Sequence, residues 1–123
     1  MKVRIYGSWD KERVDREMRT YIQVITTTEK KEDAEKIAMA LVERKLAACV
    51  QIVGPIVSTY RWKGSIETAT EWQCVIKSRE KLYTEIEKAI RTVHPYEVPE
   101  IIVIPIIAGS SDYLEWLRGS LRK

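Results

Sequence analysis

The sequence has no phenylalanine, one histidine and two cysteines in 123 residues. Without Phe, aromatic packing falls to four Trp and six Tyr, whose polar tips need partners when buried. Two cysteines make no disulfide framework in a chain this long, so Cys49 and Cys74 read as reduced thiols. A single histidine, His94, rules out a metal centre built from several imidazoles of one chain. Long apolar runs are also missing: Ile101 to Ala108 is eight residues and broken by Pro105, where a membrane helix needs about 20. Residues 1–20 lack the apolar segment of a secretory signal. These features predict a soluble, cytoplasmic protein with no membrane partner. A phosphate loop, a dinucleotide glycine pattern, a Cys-x-x-Cys pair and a nucleophile elbow are all absent, so the sequence gives no support to the enzyme classes built on them.

What is present is a single-domain length with 45% hydrophobic and 32% charged residues, a balance that excludes disordered and fibrous classes. The net charge of +3 is concentrated at the start: residues 1–20 hold six basic and four acidic residues, and the remainder is nearly neutral. That disfavours a dedicated nucleic-acid surface, which carries a concentrated basic patch.

Residues 1–20 read as an extension to a domain over 21–123, with a short strand at Val3–Tyr6 and a weak helical pattern from Asp10 to Arg19. From Tyr21 the pattern sharpens. Tyr21 to Ile25 is β-branched and apolar, a strand. Thr28 is a candidate helix cap, and Ala34, Ile37, Ala38, Leu41 and Val42 form one apolar helix stripe. Leu46 to Val53 reads as a strand, Gly54-Pro55 as a bulge or bend, and Ile56 to Trp62 as its continuation. Lys63-Gly64 suits a two-residue turn into a second long strand, Ser65 to Lys77. Alternation puts Trp72, Cys74 and Ile76 on one face of it and Glu71, Gln73 and Lys77 on the other. Ser78 can cap a helix whose stripe is Leu82, Ile86, Ala89, Ile90 and Val93, closed by His94-Pro95. Glu100 to Ile107 is apolar on both faces, as a strand covered on both sides. A short helix, Asp112 to Leu121, ends the chain.

This order predicts an α+β fold, a ferredoxin-like split βαβ sandwich with a long hairpin of the second and third strands and a C-terminal helix. Two helices cover one face of such a sheet. Tyr60, Trp62 and Trp72 on the hairpin exceed what they can bury, so the remaining apolar surface predicts oligomerisation.

Four segments then carry a resemblance: Leu46-Ala47-Ala48-Cys49-Val50; Ser58-Thr59-Tyr60-Arg61-Trp62-Lys63-Gly64 with Glu71 and Lys77 downstream; His94-Pro95-Tyr96-Glu97-Val98-Pro99-Glu100; and Tyr113-Leu114-Glu115-Trp116-Leu117. In this order and spacing, over Tyr21 to Arg122, they resemble the CutA family of divalent-cation tolerance proteins. The resemblance implies a non-enzymatic homotrimer, similar in architecture to PII signalling trimers, and a link to copper and other divalent cations. Some bacterial relatives carry Cys at the position of Thr26 and His at that of Val93. Both are replaced here, leaving His94 alone of that set.

Candidate site residues fall into two groups. Tyr60, Trp62, Glu71 and Lys77 are placed to line a cleft between subunits, where the aromatics equally suit an interface. His94, Cys49, Glu97 and Glu100 are the candidate ligands for copper or another divalent cation. His94 has a second role open to it, closing its helix. Both cysteines have a packing role open to them, and a Cys49–His94 pair is the one nucleophile-and-base combination available. Three functions follow: a metal-binding tolerance protein; a PII-like signalling or adaptor trimer with a protein or nucleotide partner; and an RNA-binding sheet, which the missing RNP aromatic pattern disfavours.

Overall fold

The computed structural model describes residues 21–123; the strand and helix expected within residues 1–20 lie outside the described residues. Strand β1 is Tyr21–Thr28, followed by helix α1, Lys31–Glu43. Strands β2, Cys49–Trp62, and β3, Ser65–Arg79, form the long hairpin. A 3-10 turn, Glu80–Leu82, leads into helix α2, Tyr83–Val93. Strand β4, Ile102–Pro105, and helix α3, Ser111–Gly119, complete the domain. The four strands form one antiparallel sheet in the order β2-β3-β1-β4. This is an α+β architecture.

The core follows the stripes read from the sequence, except at Val42, which is exposed. Ile22, Val24, Cys74 and Ile76 share one sheet face and are buried with Ala34, Ile37 and Leu41 of α1 and Ile86, Ala89 and Ile90 of α2. Leu114, Leu117 and Leu121 join the same cluster, which seats α3. Truncating one such fully buried side chain to Ala costs about 2–5 kcal/mol, depending on how far the site collapses.

Several local expectations are corrected. Thr28 does not cap α1. The first helix turn starts after Lys30, and all three threonines lie buried in β1, with Thr28 Oγ1 donating to the Lys30 carbonyl at 2.8 Å. Ser78 likewise belongs to β3, and its hydroxyl donates to the Leu46 carbonyl at 2.6 Å across the sheet end. β2 begins at Cys49, since Leu46 and Ala47 turn their N–H groups back onto the Leu41 carbonyl. β4 is shorter than expected and not covered on both sides. Among the described residues it pairs only with β1, at a sheet edge, and Ile102, Val103 and Ile104 are exposed.

The hairpin turn is as read, with Lys63 at φ 49° and Gly64 at φ 83°, the two positive values that a tight hairpin connection requires. The bulge also falls where expected. Val53 pairs with Gln73 and Ile56 with Glu71, so Gly54 and Pro55 together oppose Trp72 alone. The extra residue reverses the alternation of everything beyond it. Ser58, Tyr60 and Trp62 therefore share the face of Glu71, instead of Val57, Thr59 and Arg61. Pro55 is tolerated because a bulged residue makes no ladder bond.

Gly54 is the residue that lets Trp72 close this bulge. A Cβ there would sit 2.6 Å from Cε3 of the Trp72 ring and 3.1 Å from the Glu71 carbonyl. Gly54→Ala is therefore expected to cost about 1–3 kcal/mol by forcing the ring or the strand to shift. Gly119→Ala, where nothing lies within 4 Å of the added carbon, is expected to be neutral or slightly stabilising. Urea unfolding of the two variants at equal protein concentration checks the difference.

Candidate functional site

The bulge and the loop after α2 together build a cleft on the sheet face opposite the helix-packed one. Its volume is about 550 Å³, within the range of small-molecule sites. β1 supplies Thr27, β2 supplies Ser58, Thr59, Tyr60 and Trp62, and β3 supplies Glu71. The loop beyond α2 supplies Tyr96, Glu97, Val98 and Glu100. Among the described residues the lining holds three carboxylates, several hydroxyls and three aromatic rings, and no lysine, arginine or histidine.

His94 fastens this loop to the sheet. Helix α2 ends there, because Pro95 pushes His94 into extended backbone while its N–H still bonds the Ile90 carbonyl at 2.8 Å. Nε2 lies 2.7 Å from the Thr27 carbonyl, and a carbonyl only accepts, so Nε2 carries the proton and donates. Nδ1 accepts the Tyr96 N–H at 3.1 Å. Both ring nitrogens of this buried residue are thus in use, and the Tyr96 ring packs against the imidazole at 4.8 Å. Binding a metal through Nδ1 would require Tyr96 to release its N–H.

Tyr96 in turn reaches Glu71. Its hydroxyl donates to Glu71 Oε2 at 2.8 Å. Glu71 is 7% exposed, so this bond satisfies a carboxylate that is nearly out of water. The Tyr96 hydroxyl is pushed well above its ordinary range, first by burial, then by the hydrogen bond to Glu71 and by the charges of Glu71 and Glu29. It stays protonated and remains a donor.

The structure divides the predicted site residues. Tyr60, Trp62, Glu71, Glu97 and Glu100 meet at the cleft. Cys49 and Lys77 do not. They pair with each other across the hairpin at its other end, six residues along β3 from Glu71, or about 20 Å. Lys77 Nζ donates to Gln51 Oε1 at 3.0 Å. Cys49 is therefore remote from the His94 anchor, since Thr27 pairs with Gln73 and not with Lys77. The four candidate metal ligands do not form one cluster, and among the described residues no three His, Cys, Asp or Glu side chains are grouped to hold a metal ion. Trp72 lies on the helix-packed face and not in the cleft, half-buried against the core with the Lys31 ammonium 5.3 Å from its ring.

Sequence reasoning did not nominate Thr27, Ser58, Thr59, Tyr96 or Val98. Tyr96 stood in plain view inside the His94–Glu100 segment. Ser58 is reached by counting alternate residues back from Trp62 and Tyr60.

The described residues form an α+β module with an acidic, aromatic cleft at one end of a long hairpin. The chain belongs to the CutA1 divalent ion tolerance protein family, whose sequence profile matches residues 22–120. It is 41% identical to the divalent-cation tolerance protein CutA of Thermus thermophilus, over 77% of this chain and 92% of that one. It is 42% identical to the chloroplastic protein CutA of Arabidopsis thaliana over 82% of its length, but spans only 56% of that protein and 58% of a rice relative. Among solved structures, the Cut A1 protein of Thermus thermophilus superposes with a TM-score of 0.81 at 38% identity, covering 83% of this chain and 99% of that one. CutA1 of Oryza sativa gives 0.82 at 40% identity, covering 86% and 97%. A structure from Archaeoglobus fulgidus described as a periplasmic divalent cation tolerance protein gives 0.80 at 37%, covering 83% and 99%. No described helix is long and apolar enough to cross a membrane.

Two outcomes are expected. His94→Ala leaves the Thr27 carbonyl and the Tyr96 N–H without partners and is expected to cost about 1–3 kcal/mol in urea unfolding. The Cys74 thiol, buried and pushed up to about 11, is expected to resist iodoacetamide in the native protein at pH 8, with peptide mass spectrometry as the readout. Its folded pKa lies above the unfolded value of 9.0, so its contribution to stability is full below pH 9 and declines as pH rises toward 11.

Proposed function

We propose that this protein is a non-enzymatic homotrimer of ferredoxin-like subunits. In this reading it binds divalent metal ions, copper foremost, or another small ligand at clefts between subunits, and serves the response to metal ions in the cytoplasm. The observation that carries the reading is the acidic cleft itself: Glu71, Glu97 and Glu100 line one cavity that has no Lys, Arg or His among its described lining residues. Such a field favours cations.

The assembly is supported by what the chain leaves uncovered. β3 pairs with β1 only from Trp72 onward, so the hairpin beyond it overhangs its own sheet. Val57 is 73% exposed and Ile66 is 68% exposed on that overhang. A two-stranded ribbon is marginal alone in water. Packing it on a second copy covers these residues, and the bare edge strand β4 offers a further apolar surface. A neighbouring subunit would also bring additional ligands to the cleft, which a closed metal site of three or four donors requires. The strand order β2-β3-β1-β4 supports the split βαβ description. Chloroplastic and periplasmic relatives exist, so the cytoplasmic placement belongs to this proposal and not to the family.

A second reading is a PII-like signalling or adaptor trimer with metal binding incidental. It is favoured by the separation of Cys49 from the cleft and by the occupied nitrogens of His94. The carboxylate lining disfavours a phosphate-bearing nucleotide as the partner and leaves a protein.

Sedimentation equilibrium is expected to return three times the 14.3 kDa chain mass. Calorimetric titration of the metal-free protein with Cu(II), without reducing agent, is expected to give micromolar or tighter binding at one site per chain or per trimer. Weak binding, or a fractional stoichiometry that varies between preparations, overturns the metal reading and leaves the adaptor.

A further inference from the structure

The cleft is wider than a bare metal ion needs and differently furnished. A metal ion requires donors converging to about 2.0–2.6 Å from one point. No three acid, thiol or imidazole side chains among the described residues are so grouped. What the cleft offers is a diffuse negative field around three aromatic rings, in a volume of about 550 Å³. Tyr60 and Trp62 stand on adjacent positions of the same strand face and remain partly open, and Tyr96 faces them from the loop.

We propose that this cleft binds a quaternary ammonium ion, whose methylated charge lies against the rings of Tyr60, Trp62 and Tyr96 while Glu71, Glu97 and Glu100 supply the counter-charge. The inference rests on reading the cleft as a ligand site and names a ligand class for it other than a metal. An aromatic face attracts a cation through its quadrupole, and a quaternary ammonium, having no N–H to satisfy, loses little on leaving water for such a site. The Lys63 ammonium lies 5.5 Å from the Trp62 ring centre, so that ring already holds a cation, which the guest displaces or meets from the opposite face. Glu71 is fixed in place by the Tyr96 hydroxyl, so the deepest carboxylate and one wall of the cage are held in a set geometry before a ligand arrives. Burial raises the Tyr96 hydroxyl first, and the Glu71 hydrogen bond and the charges of Glu71 and Glu29 add to it; a cationic guest would meet the same charges.

The test is calorimetric titration of the full chain in EDTA with choline chloride and, separately, with 3,3-dimethylbutan-1-ol, which has the same shape with carbon in place of the charged nitrogen. Choline is expected to saturate with a Kd of about 1 mM or tighter, and the neutral compound to bind at least about tenfold more weakly. Glu71→Gln, which keeps an acceptor for the Tyr96 hydroxyl, is expected to weaken choline about tenfold without affecting the neutral compound. Should that variant fail to fold, Glu100→Gln at the exposed rim carries the same comparison. Equal binding of the two compounds, no saturation by choline below about 10 mM, or indifference of a folded carboxylate variant overturns the inference. Because EDTA removes metal, a failure with choline alongside tight Cu(II) binding overturns this inference alone; the reverse result overturns the metal reading alone.

Discussion

The single extra residue at Gly54-Pro55 decides what the rest of the molecule can do. A strand alternates strictly, so an insertion of one residue exchanges the two faces for everything that follows. Here the exchange brings Ser58, Tyr60 and Trp62 to the face of Glu71. It depends on a close contact, with Trp72 pressed where the side chain of any residue but glycine would stand. Packing on one side of the sheet thereby sets the chemistry of the other.

The cleft wall is closed by a chain of hydrogen bonds and not by bulk packing. Thr27 holds His94, His94 holds the Tyr96 backbone, and the Tyr96 hydroxyl holds Glu71. Each link satisfies a polar group that burial would otherwise penalise. The only histidine therefore has a positioning task in this fold, joining the end of α2 to β1. The same chain of bonds gives a Glu71 side chain nearly out of water a donor, the Tyr96 hydroxyl, which burial and that bond hold above its ordinary range.

The sheet is uneven, and that unevenness bears on assembly. Strands of 14 and 15 residues pair with each other, the longer also pairs with one of eight, and that one pairs with one of four. Among the described residues the hairpin tip pairs only within itself and the outer edge of β4 has no strand beside it, and both carry large apolar side chains. The sequence of β4 reads as a strand covered on two sides, while the described residues leave it open. The two statements agree if the missing cover comes from another copy.

The helix stripes, the strand order, the bulge and the hairpin turn were legible in the sequence, because each follows from periodicity or from the backbone freedom of a glycine or proline. Leu41, Ile86 and Leu117 are buried where their spacing put them. Tyr60, Trp62 and Glu71, expected at a cleft, and Glu97 and Glu100, expected as metal ligands, line one cavity, a grouping that the sequence did not suggest. Residues whose place depends on partners distant in sequence were not legible. Thr28 and Ser78 carry the side chains of helix caps, yet the sheet claims both, since its ladder extends past the local stop signals. Lys77 and Cys49 belong to the same motif as Glu71, but the register sets them at the far end of the hairpin. Trp72 falls behind the cleft, and both His94 nitrogens are taken by backbone groups. Sequence periodicity determines which face of an element is apolar. Which polar groups meet across elements is settled only when register, bulge and loop are fixed together in three dimensions.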